Sequence, residues 1–188
     1  DGPVVTAGGP ALESPSLFRP GTRDDGVPAY EVKFLLTEEQ AGGVEARVRG
    51  RLAPDPHADP ALGGAYRTTS LYTDTPDFSV FHRVGDFARS KFRVRRYGAG
   101  GPAFLEQKDK DGDRVRKYRS SVGHHELPTL AASTAPPGWP GSWFHHHLGL
   151  RRLRPVCRVT YDRVAFLGMA EGAAVRVTFD RNVRGEAT

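Results

Sequence analysis

The residues best suited to chemistry in this chain are cations at alternate positions. Lys91, Arg93 and Arg95 recur at i, i+2 and i+4 within Ser90-Lys91-Phe92-Arg93-Val94-Arg95-Arg96-Tyr97. Lys108 follows in a run from Phe104 to Lys110, and Lys117 and Arg119 fall on one face of a run from Arg114 to Val122. Extended backbone turns alternate side chains to the same face, about 6–7 Å apart along the strand. From Arg83 to Arg119 there are twelve basic and five acidic residues, an excess of seven, while the whole chain carries a formal +5. A local field of that sign attracts a polyanion: nucleic acid, a phosphorylated small molecule or anionic lipid. Arginine grips phosphate oxygens with two parallel donors and lysine acts as a point charge. Only five of the 27 basic residues are lysines: Lys33, Lys91, Lys108, Lys110 and Lys117.

Like charges facing each other in a sheet repel, and the cost grows where water is excluded. Two arrangements relieve it. One is an open face screened by salt. The other is an enclosed face where carboxylates such as Glu31 and Glu106 offset part of the charge and a bound polyphosphate offsets the rest.

The elements that must position these cations are legible from pattern. Tyr30 to Leu36 alternates and reads as a half-buried strand. Thr37 caps a helix from about 38 to 50, with Gln40 as its capping-box partner. Residues 53–64 read as loop and Tyr66 to Asp74 as a strand. Thr75-Pro76-Asp77 opens a short helix through Arg83. Residues 88–122 read as a three-stranded antiparallel meander, with Asp111-Gly112 marking its second turn. Residues 123–150 read as loop with a helix near 142–149. Three strands close the chain, at about 156–161, 163–168 and 173–180.

Length and composition set the frame. The 188 residues, 38% apolar and 26% charged, suit one folded domain. Gly- and Pro-rich residues 1–28 read as a disordered leader before a domain over 29–188. No run of eighteen apolar residues predicts a membrane span. Cys157 is the one cysteine, which excludes an internal disulfide framework and fits a reducing, cytoplasmic setting.

Other motifs read as structure. Asp109-x-Asp111-Gly112-Asp113 has its glycine misplaced for a calcium loop and fits a hairpin turn. His124-His125 and His145-His146-His147 read as solvated loop. Gly98-Ala99-Gly100-Gly101 lacks the Gly-Lys-Ser/Thr of a phosphate loop, and no nucleophile elbow appears. Cys157 reads as packing. The strand aromatics Phe92, Phe104 and Tyr118 form no single stacking platform, which disfavours nucleic acid.

Several segments in order carry a family resemblance: Tyr30-Glu31-Val32-Lys33-Phe34, Ser70-Leu71-Tyr72-Thr73-Asp74, Lys91 to Gly98, Phe104-Leu105-Glu106-Gln107-Lys108 and Lys117-Tyr118-Arg119. Pro155, Tyr161-Asp162-Arg163 and Val175 to Asp180 follow. Together, from about Tyr30 to Asp180, they resemble the VTC (vacuolar transporter chaperone) domain, the polyphosphate polymerase branch of the CYTH-like triphosphate tunnel metalloenzymes. The resemblance implies an α+β fold, an antiparallel β-barrel forming a triphosphate tunnel with a few flanking helices. The family pattern continues past the Val175–Asp180 strand, so it also implies a barrel lacking its last strand. Ala29 stands where relatives often carry Arg or Glu.

What the resemblance implies for function is metal-dependent phosphoryl transfer on a triphosphate or polyphosphate chain. Lys33, Arg93, Arg95 and Lys108 are the implied catalytic grip. Arg83, Lys117, Arg119, Arg163 and Arg176 complete the phosphate-binding set. Glu31 and Glu106 are the implied ligands of Mg²⁺ or Mn²⁺, and ATP, triphosphate or inorganic polyphosphate the implied partners. A triphosphatase of the same fold and a non-catalytic polyphosphate or nucleic-acid binding module are the alternatives.

Overall fold

The computed structural model of the chain describes residues 29–188. The leader expected over 1–28 lies outside them. The fold is α+β, built on one eight-stranded antiparallel sheet. Its strands are β1 (Ala29–Tyr30), β2 (Ala53–Pro54), β3 (Tyr66–Asp74), β4 (Ser90–Tyr97), β5 (Ala103–Asp111), β6 (Arg114–Val122), β7 (Arg154–Ala170) and β8 (Ala173–Ala187). The order is β1-β6-β5-β4-β3-β7, with β8 on the other side of β7 and β2 pairing with β7 beyond β3. Among the described residues no hydrogen bonds join the two outer edges, so the sheet is not closed by pairing.

Among the described residues three α-helices accompany it: α1 (Glu38–Arg49), α2 (Ser79–His82) and α3 (Ser142–Leu150). The start of α1 is the expected capping box. Gln40 N–H donates to Thr37 Oγ1 at 3.2 Å, and Thr37 N–H donates to Gln40 Oε1 at 2.9 Å. The short α2 is held from below by buried Asp74, which accepts from the Val80 and Phe81 amides at 2.8 and 2.9 Å.

Directly paired residues share a face, so the register sorts the side chains. One face carries Phe92, Ala103, Leu105 and Val122, which form a buried core with Val80, Trp139, Phe144 and Leu153. On the same side farther along, Phe166 and Phe179 are buried beside α1. Arg49 stacks over Phe166 at 5.2 Å, and Arg181 pairs with Glu38 and Glu45. The helices thus cover the apolar face. The opposite face carries the cations.

Four expectations fail for physical reasons. The strand expected from Tyr30 to Leu36 stops at Tyr30, and Val32, Phe34 and Leu35 are 64%, 76% and 102% exposed. Alternation specifies the two faces of a strand but supplies no edge to pair with. Here the Glu31 amide donates to the Asp113 carbonyl, and the chain then leaves β6 for α1 at the other side of the sheet. The strands expected at 156–161 and 163–168 are one strand, β7. Asp162, read as a break, sits at a register shift against β8, a bulge that bends pairing without ending it. Of the histidines read as loop, His145, His146 and His147 lie on α3, where the His147 ring is 5.3 Å from Phe92, and His124 and His125 open a 3₁₀ helix over His124–Ala131. The meander turn is also one residue later than Asp111-Gly112: Asp111 faces Arg114, leaving Gly112-Asp113 as the loop, with Gly112 at φ +58°.

Candidate functional site

The cationic face is built row by row. Tyr72 on β3 faces Arg93 on β4, Arg93 faces Glu106 on β5, and Glu106 faces Arg119 on β6. One row toward one end, Ser70 faces Arg95, which faces Phe104. One row toward the other, Lys91 faces Lys108, which faces Lys117. β7 and β8 extend the face: Tyr66 pairs with Arg163, Arg163 with Asp180, and Leu167 with Arg176.

Among the described residues no helix contributes to this face, yet much of it is dry. Thr68 and Ser70 are fully buried, Glu106 is 1% exposed and Arg95 6%. Charges in such a place require partners. Glu106 Oε2 accepts from Arg93 Nε at 2.6 Å, and Glu106 Oε1 accepts from Arg119 Nε at 2.7 Å. Burial alone would raise the Glu106 carboxyl, but Arg93, Arg119 and Arg95 overcome it and hold the group at about 2. Both oxygens of Glu31 accept from Lys108 Nζ, at 2.7 and 2.8 Å. Burial again works upward, and Lys108, Lys117 and Lys33 bring Glu31 down to about 2. Desolvation pulls the Lys117 ammonium down to about 8, opposed by Glu31 and Glu106 and aided by Lys108 and Arg93. Lys117 keeps more than a third of its surface in water, which limits how far desolvation reaches. Lys108 is lowered for the same reason, with Glu31 opposing.

Farther along, Asp180 takes both ends of the Arg163 fork, Nε at 2.6 Å and Nη2 at 2.7 Å. Asp55, 4% exposed, accepts from Arg176 Nη2 at 2.8 Å, and the same nitrogen donates to the Tyr66 hydroxyl at 2.8 Å. Arg95 differs from all of these. Its Nε donates to Ser70 Oγ at 2.9 Å, and its guanidinium lies 6.0 Å from the rings of both Tyr97 and Tyr161. Among the described residues it pairs with no carboxylate.

The expected site residues therefore divide. Arg93, Arg95, Lys108, Lys117, Arg119, Arg163, Arg176, Glu31 and Glu106 lie on or beside one continuous face. Lys33 sits in the unpaired segment after β1, with its side chain 79% exposed and Nζ 3.6 Å from Glu31. Arg83 is exposed at the C-terminal end of α2, in left-handed backbone, on the helix-covered side of the sheet. Sequence reasoning missed Asp55, Asp180 and the tyrosines. Asp180 and Tyr161 had a signal, since each stands an even number of places from a cation on its strand. Asp55 had none: it sits in a Pro-rich stretch just after β2, and the β2–β7 pairing with its own amide bond to the Ala165 carbonyl places it.

A caged divalent cation does not fit these residues. Among the described residues no three His, Cys, Asp or Glu side chains converge. Glu106 has each oxygen engaged by a guanidinium, and Glu31 has both on Lys108. What the face can do is hold a chain of anions in register, by guanidinium forks in the middle and ammonium groups toward one end.

A sequence profile of the VTC domain matches residues 28–187. The chain belongs to the VTC domain family. No curated protein matches it. Among solved structures, a Bacillus halodurans protein described as an adenylate cyclase is 13% identical, with a TM-score of 0.45 over 79% of this chain and 77% of that one. A Hippeastrum adenylyl cyclase described as having a dominant triphosphatase activity is also 13% identical, with a TM-score of 0.35 over 70% and 77%. In the VTC domain of this chain no helix among the described residues is long and apolar enough to cross a membrane.

Proposed function

We propose that this VTC domain transfers a phosphoryl group along a triphosphate or polyphosphate chain laid on its cationic face, as a polyphosphate polymerase does. The observation that carries the reading is Arg95, a charge 6% exposed with no carboxylate of its own among the described residues. A buried, unpaired guanidinium is costly, and a phosphate oxygen is the partner its geometry fits. Phosphoryl transfer asks a protein mainly for alignment and charge neutralisation. Arg93, Arg95 and Arg119 would hold the chain from one side of the face and Arg163 and Arg176 from the other. Lys108 and Lys117 would neutralise the charge that develops toward their end. The attacking oxygen belongs to a terminal phosphate or to water. It bonds to the γ-phosphorus as the β–γ bridging bond breaks, and the electron pair leaves on the diphosphate. The family resemblance brings Mg²⁺ or Mn²⁺ to the phosphates. The chain's own cations carry the alignment and the charge neutralisation. The single cysteine and the nucleotide substrate suit a cytoplasmic setting.

The test is direct. Incubation with ATP and Mn²⁺, followed by ³¹P NMR, should show mid-chain phosphate signals if the acceptor is a growing chain and orthophosphate if it is water. Neither product, together with failure of tripolyphosphate to outcompete single-stranded RNA for the protein, refutes the reading.

A further inference from the structure

Glu106 is the most enclosed charged side chain on the cationic face, at 1% exposure. It meets Arg93 and Arg119 through their Nε edges. Each fork also gives an Nη hydrogen to a tyrosine hydroxyl: Arg93 Nη1, away from Glu106, to Tyr72 at 3.1 Å, and Arg119 Nη2, which also meets Glu106 Oε1, to Tyr97 at 3.1 Å. Tyr72, Arg93, Glu106 and Arg119 face one another in an unbroken row across four strands. A guanidinium is planar and rigid, so fixing one edge and one corner fixes the direction of its remaining donors.

We infer that Glu106 is a positioning residue: it holds Arg93 and Arg119 as a matched pair of forks aimed at one phosphate chain, and it is not a metal ligand. The inference rests on the phosphate reading of this face. Ligating a cation would require Glu106 to turn an oxygen away from a guanidinium where almost no water can replace it, leaving a buried charge unpaired. Replacing Glu106 by Gln separates two effects. Loss of a negative charge beside the phosphates favours binding. The amide accepts from one Nε only and turns its own donor on the other, so the aim is lost. Binding of a polyanion follows charge, whereas transfer follows alignment.

The experiment uses protein with ¹⁵N-labelled arginine. In the parent protein, two slowly exchanging Nε–H signals from Arg93 and Arg119 are expected. They should be untouched by Mn²⁺ alone and should persist when inorganic tripolyphosphate binds. In Glu106→Gln, Kd for tripolyphosphate without metal should stay equal or tighten while kcat with ATP falls about 100-fold, the scale of a small misalignment. Broadening of both signals by Mn²⁺ alone would make Glu106 a ligand and overturn the inference. Loss of both signals on adding tripolyphosphate would make it a displaced counter-ion, and a Kd that weakens in step with kcat would make it merely structural. The first two readouts need no variant, so they stand even if Glu106→Gln fails to fold. A parent protein that binds no tripolyphosphate overturns the phosphate reading and the inference together. That outcome is distinct from a parent that binds and turns over while the Nε signals vanish.

Discussion

Replacing Arg95 by Met should weaken phosphate binding without harming the fold. Arg95 is 6% exposed, braced by Ser70 and two tyrosine rings, and paired with no carboxylate among the described residues. Removing a charge usually strands its partner. Here the hydrogen-bond partner is one serine hydroxyl, Glu106 keeps Arg93 and Arg119 as its larger counter-charges, and Met keeps most of the buried stem. The ligand-free protein should therefore melt at the same temperature or higher. With ligand the balance reverses. A hydrogen bond to a charged group contributes about 1.5–3 kcal/mol, so losing one should raise Kd about 10- to 150-fold. Tripolyphosphate at about 100 times the parent Kd stabilises by about 2.7 kcal/mol, and a 30-fold weaker variant keeps about 0.9 kcal/mol. For a domain of this size that is a melting shift of about 5–11 °C in the parent and about 2–3 °C in Arg95→Met. Thermal unfolding with and without tripolyphosphate measures both arms. A variant that keeps the full shift refutes the idea that this charge awaits a phosphate. A large loss of ligand-free stability shows that Arg95 is already neutralised.

Other consequences follow from the same geometry. Desolvation brings the Lys117 ammonium down toward about 8, and a phosphate chain would keep it protonated. Tripolyphosphate affinity should thus fall as pH rises through about 8, with proton uptake on binding measurable by calorimetry in two buffers, and Lys117→Met should flatten that limb. Glu31 is depressed to about 2 by Lys108, Lys117 and Lys33 against the pull of burial. Its contribution to stability is complete above the unfolded value near 4.5 and is lost as pH falls through about 2. An acid-unfolding curve should accordingly be shallower for Glu31→Gln, and an unchanged curve would show that the Lys108 pair contributes nothing. Phe144→Ala removes a fully buried ring on the helix-covered side. It should cost about 3–5 kcal/mol in denaturant melts while leaving tripolyphosphate Kd, measured where the variant is folded, within a factor of two or so.

Much of the sheet could be read from local pattern. β3, β4 and β6 fall where alternation and the flanking Gly, Pro and Asp residues put them, and the side to which Arg93 and Arg95 point follows from period two alone. Local pattern could not say which strand lies beside which. The Glu106 bridge between Arg93 and Arg119 depends on the registers of β4–β5 and β5–β6 together. Asp55 lies 121 positions from the Arg176 it binds, in a segment without period. Val32, Phe34 and Leu36 show the opposite failure. They alternate as a strand does and remain exposed, because strand formation needs an edge and local sequence does not report where edges lie. The two strands expected on either side of Asp162 were split for a related reason: a polar residue at a bulge resembles a turn until pairing on both sides is known.

The two faces of this sheet divide the work of stability and binding. In most half-buried sheets the enclosed face is apolar and the outer face is wet. Here the arrangement is reversed: the apolar face lies under helices, and the face without helices encloses arginines, carboxylates and tyrosines. An interior of that kind cannot supply the hydrophobic stabilisation of the domain. That stabilisation must come from Phe92, Leu105, Phe144 and their neighbours on the far side of the same strands. One strand therefore serves both purposes at alternate residues, Phe92 and Val94 to the core, Arg93 and Arg95 to the ligand. The core residues are thus separate from the residues that meet the ligand, although both sit on the same strands. It also explains why the charges are tolerated in pairs. Each carboxylate offsets part of the repulsion that would otherwise open the sheet, and the excess positive charge that remains is what a phosphate chain would neutralise.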